Sequence, residues 1–480
     1  MSGNSDLQAL SDIITSSVDQ ILSVCKAKGK DFPRLDKPIH PSEFTPEGIR
    51  NDPQVSDAIA LVVTAAFQLI QTVRSPPVTL VTESLKSVLP TCLGIAERAD
   101  VAEILRDAGP KVSKGKHVNE IAAHSGIDSR KLARVLRCLA THHYFIEVSP
   151  DVFANNLLSS LMDSGKDISE PNFRENKHVG AQRGMAAMAG FGPSVTMKCL
   201  AEWPEMLFDP KTTSSDEASG SGWRRAMKTD KDMWDYFATP EGRYNAIRFN
   251  ATMANANKLH PPQAAVKGFD WASLPKGALV VDVGAGRGHV SLEVARAFPD
   301  LQVAVEDRSV VIADAKQYWT DCLPSHVKEG KVHFIECDFL QPQPKLPKTP
   351  DVFLLRQIIH DWSDRLCVQL LTHLKAAAGP HTKLLIIDCI VEYACVSETQ
   401  AALTVDSNAS KVPKPLLPNL AGANLHAYQA DIVLGSVLNA GERTVDGFKS
   451  IYEAAGWKLV EVRKNPASKL WWPTMVCEPA

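Results

Sequence analysis

An excess of positive charge is missing from this chain. Its 52 lysines and arginines stand against 55 aspartates and glutamates, a formal net charge of −3, so there is no general attraction to nucleic acid or anionic lipid. Long apolar runs are missing as well: no stretch approaches the ~20 uninterrupted residues a spanning helix needs. The N-terminus, Met1-Ser2-Gly3-Asn4-Ser5-Asp6, has no basic segment leading into an apolar core. These absences lead to the expectation of a soluble, cytoplasmic protein with neither membrane nor nucleic acid as partner. The ten cysteines include no CxxC or CxxH pair, which speaks against a disulfide framework and a zinc site alike. They read as reduced packing residues, and no metal is expected. No internal repeat is evident.

The 480 residues leave room for two or three domains, and a 44% hydrophobic content suits an ordinary folded core. Leu7, Leu10, Ile13, Ile14, Val18, Ile21 and Leu22 recur at helical spacing; a Pro-rich piece, 31–53, interrupts, and helical patterns resume over 55–89. Apolar helices so early in a chain need covering, by a partner subunit or by the chain itself. From His117 the text gives a short helix, a turn at Gly126, a second helix with Leu132, Val135, Leu136 and Leu139 on one face, and a hairpin with Ser149-Pro150-Asp151 at its tip. That order is a winged helix-turn-helix. The polar piece 211–222, KTTSSDEASGSG, has too little apolar content to pack and reads as a flexible loop at a boundary. Helical text follows over 223–259.

Beyond Lys276 strands and helices alternate. Strands are expected at 278–283, 301–306, 331–336, 351–355, 382–388, 457–462 and 474–478, the rhythm of a doubly wound α/β sheet. The segment 397–424 has no strong period and reads as a candidate lid.

Chemistry concentrates at strand ends, where open sheets bind ligands. The first strand runs into Gly284, Gly286 and Gly288, a GxGxG turn rather than the GxGxxG of dinucleotide dehydrogenases. Glycines there let backbone approach an adenosine-type ligand closely, although a tight strand-to-helix turn also uses them. Asp282 ends the first strand, and Glu306 and Asp307 end the second, where a carboxylate can accept both hydrogen bonds of a ribose diol. Asp338 ends the third and can accept from an adenine amino group, with Phe339 packing beside the ring. Each acid alone suits a helix cap or a solvated loop; three at consecutive strand ends after a glycine turn point to a nucleoside. Past the fourth strand stands His360-Asp361-Trp362-Ser363-Asp364, with Asp388 and Glu442 on later elements available to orient the imidazole.

Taken together, LVVDVGAGRGHVSLEVARAFPDLQVAVEDR, FIECDFLQP, DVFLLRQIIHDWSD, LLIIDCIV and NAGERTVDGFKSIYEAAGW, following a winged-helix front end, resemble the class I S-adenosylmethionine-dependent O-methyltransferases of plant and fungal secondary metabolism, the caffeate- and sterigmatocystin-type enzymes. The resemblance runs from about residue 55 to the C-terminus, and HDWSD joined to GERT is its most specific part. It implies a Rossmann-like doubly wound sheet behind a mostly helical winged-helix dimerisation domain. The division it implies is 1–54 as an N-terminal helical extension, 55–210 as the dimerisation domain, 211–260 as loop and linker helices, and 261–480 as the catalytic domain. The cofactor implied is S-adenosyl-L-methionine. Its methionine moiety would meet the turn of Gly284, Gly286 and Gly288 above Asp282, its ribose Asp307, and its adenine Asp338 and Phe339. Arg356 falls where the family usually has lysine near the cofactor, and Arg308 and Trp362 complete the cofactor candidates. His360 matches the general base, and Asp388 and Glu442 the two flanking acids, although plant members usually carry glutamate at the first of these. Ala285 replaces a common glycine, which a negative φ tolerates. A homodimer, a small hydroxylated aromatic or polyketide-like substrate, and no metal are further implications.

Three other readings remain open at this stage. Arg130, Lys131, Arg134 and Arg137 on the second winged-helix helix could contact DNA phosphates, making a regulator. A nicotinamide dehydrogenase could use the same sheet. A methyltransferase-fold enzyme could act on nitrogen or carbon, or lack transfer altogether. An apolar acceptor pocket could be lined by Met185, Met188, Phe191, Trp234, Phe237, Phe249 and Met253, residues that plain core would also explain.

Overall fold

Where proline does not intervene, the apolar periodicity of the N-terminal third becomes helix: Gly3–Lys28, Pro53–Val73, Pro76–Ser84 and Val88–Arg98. The computed structural model describes residues 3–106, 114–180, 185–256, 263–405, 412–464 and 472–480. Asp52 starts the second helix, accepting from the backbone N–H groups of Gln54 and Val55 at 2.9 and 3.3 Å, with Pro53 at the first helical position. The first two helices cover each other along one face: Ile21, Cys25, Ile49, Val55 and Ala58 form one cluster, and Leu10 and Ala65 close on Leu416 in another. Their outer faces stay bare. Val73 is 63% exposed, Leu80 73% and Leu85 58%. By length and composition alone, Pro53–Val73 and Pro76–Arg98 are apolar enough to cross a membrane.

The winged unit forms from local signals. Strand β1 (Lys116–His117) leads into the Val118–Ser125 helix through a capping box of His117 and Glu120, and Gly126 ends that helix at φ 73°. Asp128 caps the Ser129–Thr141 helix, whose Leu132, Leu136 and Leu139 are buried. Strands β2 (Ile146–Ser149) and β3 (Val152–Ala154) make the wing, in the order β1-β3-β2. Arg137 is committed within this unit, pairing with Glu147 at 3.0 Å and Asp151 at 2.8 Å, and Arg130 leans on Asp128 at 3.4 Å. A basic face free to meet phosphates is thereby reduced.

Eight strands make the large sheet: β4 (Leu279–Val283), β5 (Gln302–Asp307), β6 (Val332–Glu336), β7 (Val352–Arg356), β8 (Lys383–Ile387), β9 (Thr404–Val405), β10 (Trp457–Arg463) and β11 (Thr474–Pro479). Their order is β6-β5-β4-β7-β8-β11-β10-β9. β4 through β8 run parallel, and β11 is antiparallel to both β8 and β10. Strand order reverses at β4, which opens a crevice above its carboxyl end. Every residue of β4 is buried, as a strand covered by helices on both faces requires.

Two segments depart from the reading of composition. Residues 211–222 are fixed rather than flexible: Asn439 donates to the carbonyls of Ser215 and Glu217 at 2.6 and 2.8 Å, Arg365 pairs with Glu217 at 2.7 Å, and Gly220 and Ser221 are buried. Polarity within the segment is answered by partners more than 140 residues away, which no local window reveals. Residues 397–424 are not a loose lid. They hold the Glu398–Leu403 helix and β9, an unforeseen edge strand parallel to β10. Further along, Pro415 and Leu420 accept hydrogen bonds from Gln68 and Thr64 at 3.3 and 3.0 Å, docking the segment on the N-terminal helices. Residues 257–262 and 406–411, parts of the expected linker helix and lid, lie outside the described residues.

Candidate active site

Above the switch point the chain leaves β4 in a turn that only glycines can make. Gly284, Gly286 and Gly288 have φ values of 67°, 58° and 73°. A Cβ on Gly284 would lie 2.6 Å from Ile358 Cδ1 and 3.4 Å from Phe339 Cε1, whereas a Cβ on Gly286 would meet nothing within 4 Å. Close approach is therefore used at one glycine and open space lies before another. Ala285 is absent from the positive-φ residues, as its side chain requires. Gly288 begins the His289–Ala297 helix.

Acids hold this turn. Asp307 accepts from Gly286 N–H through Oδ2 and from Arg308 N–H through Oδ1, both at 2.8 Å. Burial raises its pKa. Each oxygen keeps a lone pair for a ligand. Asp282 lies beneath the turn, accepts from the Ser291 hydroxyl at 2.6 Å, and is pushed up to about 6 by burial. Glu306, on the other face of β5, accepts from Gln343 and is pushed up to about 7 by burial. Asp338 is exposed and accepts from Leu340 N–H at 3.0 Å, and Arg308, directly after Asp307, is exposed as well. Phe339 meets Trp362 edge-on, ring centres 5.6 Å apart. Gly284, Ile358, Phe339 and Trp362 thus share one wall.

Arg356, at the end of β7, hydrogen-bonds His289 Nε2 at 3.1 Å and lies 5.8 Å from the Trp472 ring centre. Burial lowers it to about 10; burial and then Arg356 lower His289 to about 4. Neutral His289 can therefore accept from the guanidinium. His289, which follows the glycine turn, carries no signal in the sequence, because the pairing needs β4 and β7 to be neighbours.

His360 sits in the Ile359–Asp361 turn beyond β7. Its Nδ1 donates to Glu442 Oε1 at 2.8 Å, and Asp361 Oδ1 lies 3.5 Å from Nε2. Burial opposes charge on the ring, but Asp361, Glu442 and Asp388 outweigh it and raise the imidazole pKa well above its ordinary value. Asp388 is fully buried at the end of β8, and neither of its oxygens has a hydrogen-bond partner; burial pushes it up to about 7. It acts on His360 through charge, with no hydrogen bond between them. Glu442 is the acid that grips the ring. Arg443, the arginine of GERT, clamps the turn: it donates to the carbonyls of Ile359 at 3.0 Å and Trp362 at 2.8 Å and pairs with Asp364 at 2.7 Å. Nothing in the GERT motif itself announces this clamp, because its acceptors lie some 80 residues earlier in the chain.

Of the suggested pocket residues, Phe191, Trp234, Phe237 and Phe249 do cluster, with ring centres 5.5–5.9 Å apart. Met188 and Met253 face outward instead. Helical spacing could not distinguish them, because both sit on helices with an exposed side.

An open sheet with a glycine turn at its switch point, an acid at the end of the next strand and a carboxylate-gripped imidazole beyond the adjacent one defines a class I methyltransferase. Comparison with known proteins carries this to a family. Residues 217–410 match the model of the O-methyltransferase domain. An O-methyltransferase of Armillaria gallica is 40% identical over 95% of each chain, and 4-O-methyltransferase 1 of Phanerochaete chrysosporium is 37% identical over 96% of each. Among solved structures, a pericyclic reaction enzyme shares the fold with a TM-score of 0.65 at 17% identity, covering 88% of this chain and 94% of its own. The chain belongs to the family of S-adenosylmethionine-dependent O-methyltransferases and acts on a small molecule.

Proposed function

We propose that the protein transfers the methyl group of S-adenosylmethionine to the hydroxyl of a small aromatic metabolite, with His360 as general base. The observation that carries this is the bond between Glu442 and His360, two residues after Ile358, whose side chain packs on Gly284 of the glycine turn. The open face of Gly286, the paired acceptors of Asp307 and the Phe339–Trp362 wall fit an adenosine-type cofactor. When bound, that cofactor supplies an electrophilic methyl on a sulfonium.

The chain's part is the proton. A phenol of pKa ~10 is about one part in a thousand ionised at neutral pH, so a placed base is worth up to ~4 kcal/mol. Glu442 on Nδ1 fixes the tautomer that leaves Nε2 as acceptor, and Asp361 beside Nε2 stabilises the imidazolium once formed. Incubation with labelled S-adenosylmethionine and hydroxylated aromatics, with and without blocked hydroxyls, tests the reading: label should enter only the free phenols. Label on nitrogen or carbon, or none, overturns it.

The pH profile tests the acid's role. Because neighbouring carboxylates raise the pKa of His360, kcat should climb with pH as the ring loses its proton. Glu442→Gln removes one of those charges, so the rising limb should shift about 1–2 units to lower pH while the plateau falls. An unmoved limb would remove Glu442 from this role.

We also infer a homodimer formed through the N-terminal helices, because Val73, Leu80 and Leu85 leave a broad apolar face bare. Sedimentation at micromolar concentration should give twice the mass of one chain; a monomer that floats with vesicles would assign the face to a membrane.

A further inference from the structure

Arg248 is a buried cation without an anion. It lies on the Arg243–Ala256 helix at 6% exposure, and its Nε has no hydrogen-bond partner. One Nη donates to the Ser194 hydroxyl, and the guanidinium carbon lies 5.8 and 5.1 Å from the ring centres of Phe191 and Tyr244. No carboxylate pairs with it among the described residues. Lys177 and Arg443, by contrast, are answered by acids: Lys177 has Glu97, Asp100 and Glu103 at 3.2, 3.0 and 3.4 Å, and Arg443 has Asp364 at 2.7 Å. Burying a charge without a partner is costly, so the unanswered guanidinium of Arg248 needs a reason.

A second polar group shares its helix face. Thr252, one turn on, is 4% exposed, and its hydroxyl also has no partner. Phe249 belongs to the aromatic cluster with Phe191, Trp234 and Phe237, and Val433 and Val437 of the Leu425–Leu438 helix pack on the same cluster. That helix also contacts the Ile359–Asp361 turn carrying His360. The Leu425–Leu438 helix therefore links the turn carrying His360 to the aromatic layer beside the two unanswered donors.

We propose that Arg248, assisted by Thr252, binds a carboxylate on the methyl acceptor, which makes the acceptor a phenolic acid with its ring on the aromatic layer. The free guanidinium edge offers parallel N–H groups, the geometry a carboxylate accepts. The inference rests on the phenol-methylating reading of the site, and its test separates the two. Wild-type protein saturated with S-adenosylhomocysteine is titrated calorimetrically with hydroxylated benzoic and cinnamic acids, each paired with its methyl ester. At least one acid should bind tenfold or more tightly than its ester. Arg248→Gln should erase that preference by weakening the acid and sparing the ester, and Arg248→Lys should keep part of it. Thr252→Val, which leaves the charge in place, should cost the acid a few-fold, and it carries the test should the glutamine variant not fold. Equal binding of every acid and ester, or a uniform loss in the variants, overturns the proposal. Acids that bind through Arg248 yet take no methyl group leave the carboxylate site standing and remove the catalytic reading.

Discussion

His360→Gln should lower kcat by about 10²–10⁴-fold, the usual contribution of a positioned general base, and leave the affinity for S-adenosylhomocysteine within a factor of two. Among the described residues, the ring's polar partners are Glu442 and Asp361 and no residue of the glycine turn, so its loss should not be felt by the nucleoside. Glutamine keeps much of the volume and a donor for Glu442, which limits structural damage. Turnover equal to wild type on the same phenol would take the proton-accepting role away from His360. A weakened cofactor affinity with unchanged turnover would place the ring in binding instead.

That separation depends on how charge is arranged. Asp361, Asp388 and Glu442 surround one imidazole, and Arg443 is the guanidinium that ties their turn together. In the free site the acids favour a protonated ring. A cationic ligand in the crevice acts against that proton through space, so loading the site with a sulfonium pushes the ring towards the neutral form a base needs. Affinity for the cofactor and readiness of the base are then linked through one electrostatic field.

Much of this was readable from the chain because it rests on short spacings. The parallel strands announced themselves as β-branched apolar runs ending in acids, and the winged unit as a helix, a glycine, a helix and a hairpin. His360 and Glu442 were visible as motif residues. What escaped depends on partners distant in sequence. Arg443 clamps carbonyls some 80 residues earlier, and His289 meets Arg356 only because β4 and β7 are adjacent. Residues 211–222 looked too polar to fold, yet Asn439 and Arg365 supply what their backbone and side chains ask for. Composition measures what a segment brings to the fold and is blind to what meets it there. Asp388 shows the same limit at one residue: its place in the motif is legible, but its lack of a bond to His360 is not.

Asp307→Ala should weaken S-adenosylhomocysteine binding by roughly 30- to 1,000-fold. The carboxylate sits at the end of β5 with one oxygen on Gly286 N–H and the other on Arg308 N–H, so each oxygen keeps acceptor capacity for a ribose hydroxyl. Two hydrogen bonds to a charged group at about 1.5–3 kcal/mol each, less what water recovers, give roughly 2–4 kcal/mol. Part of the loss comes through the turn, since Gly286 N–H would be left without its acceptor. Asp307→Asn isolates that part: its amide oxygen can still receive Gly286 while the charge and one acceptor are gone, so it should fall between alanine and wild type. Acidification gives an independent check. Burial raises the pKa of Asp307, so nucleoside affinity should decline on lowering pH earlier than a solvated aspartate would allow, and the alanine variant should lose that dependence. Calorimetry across pH on the three proteins, with melting temperatures as the folding control, decides it; an affinity that is the same in all three assigns the ribose to another group.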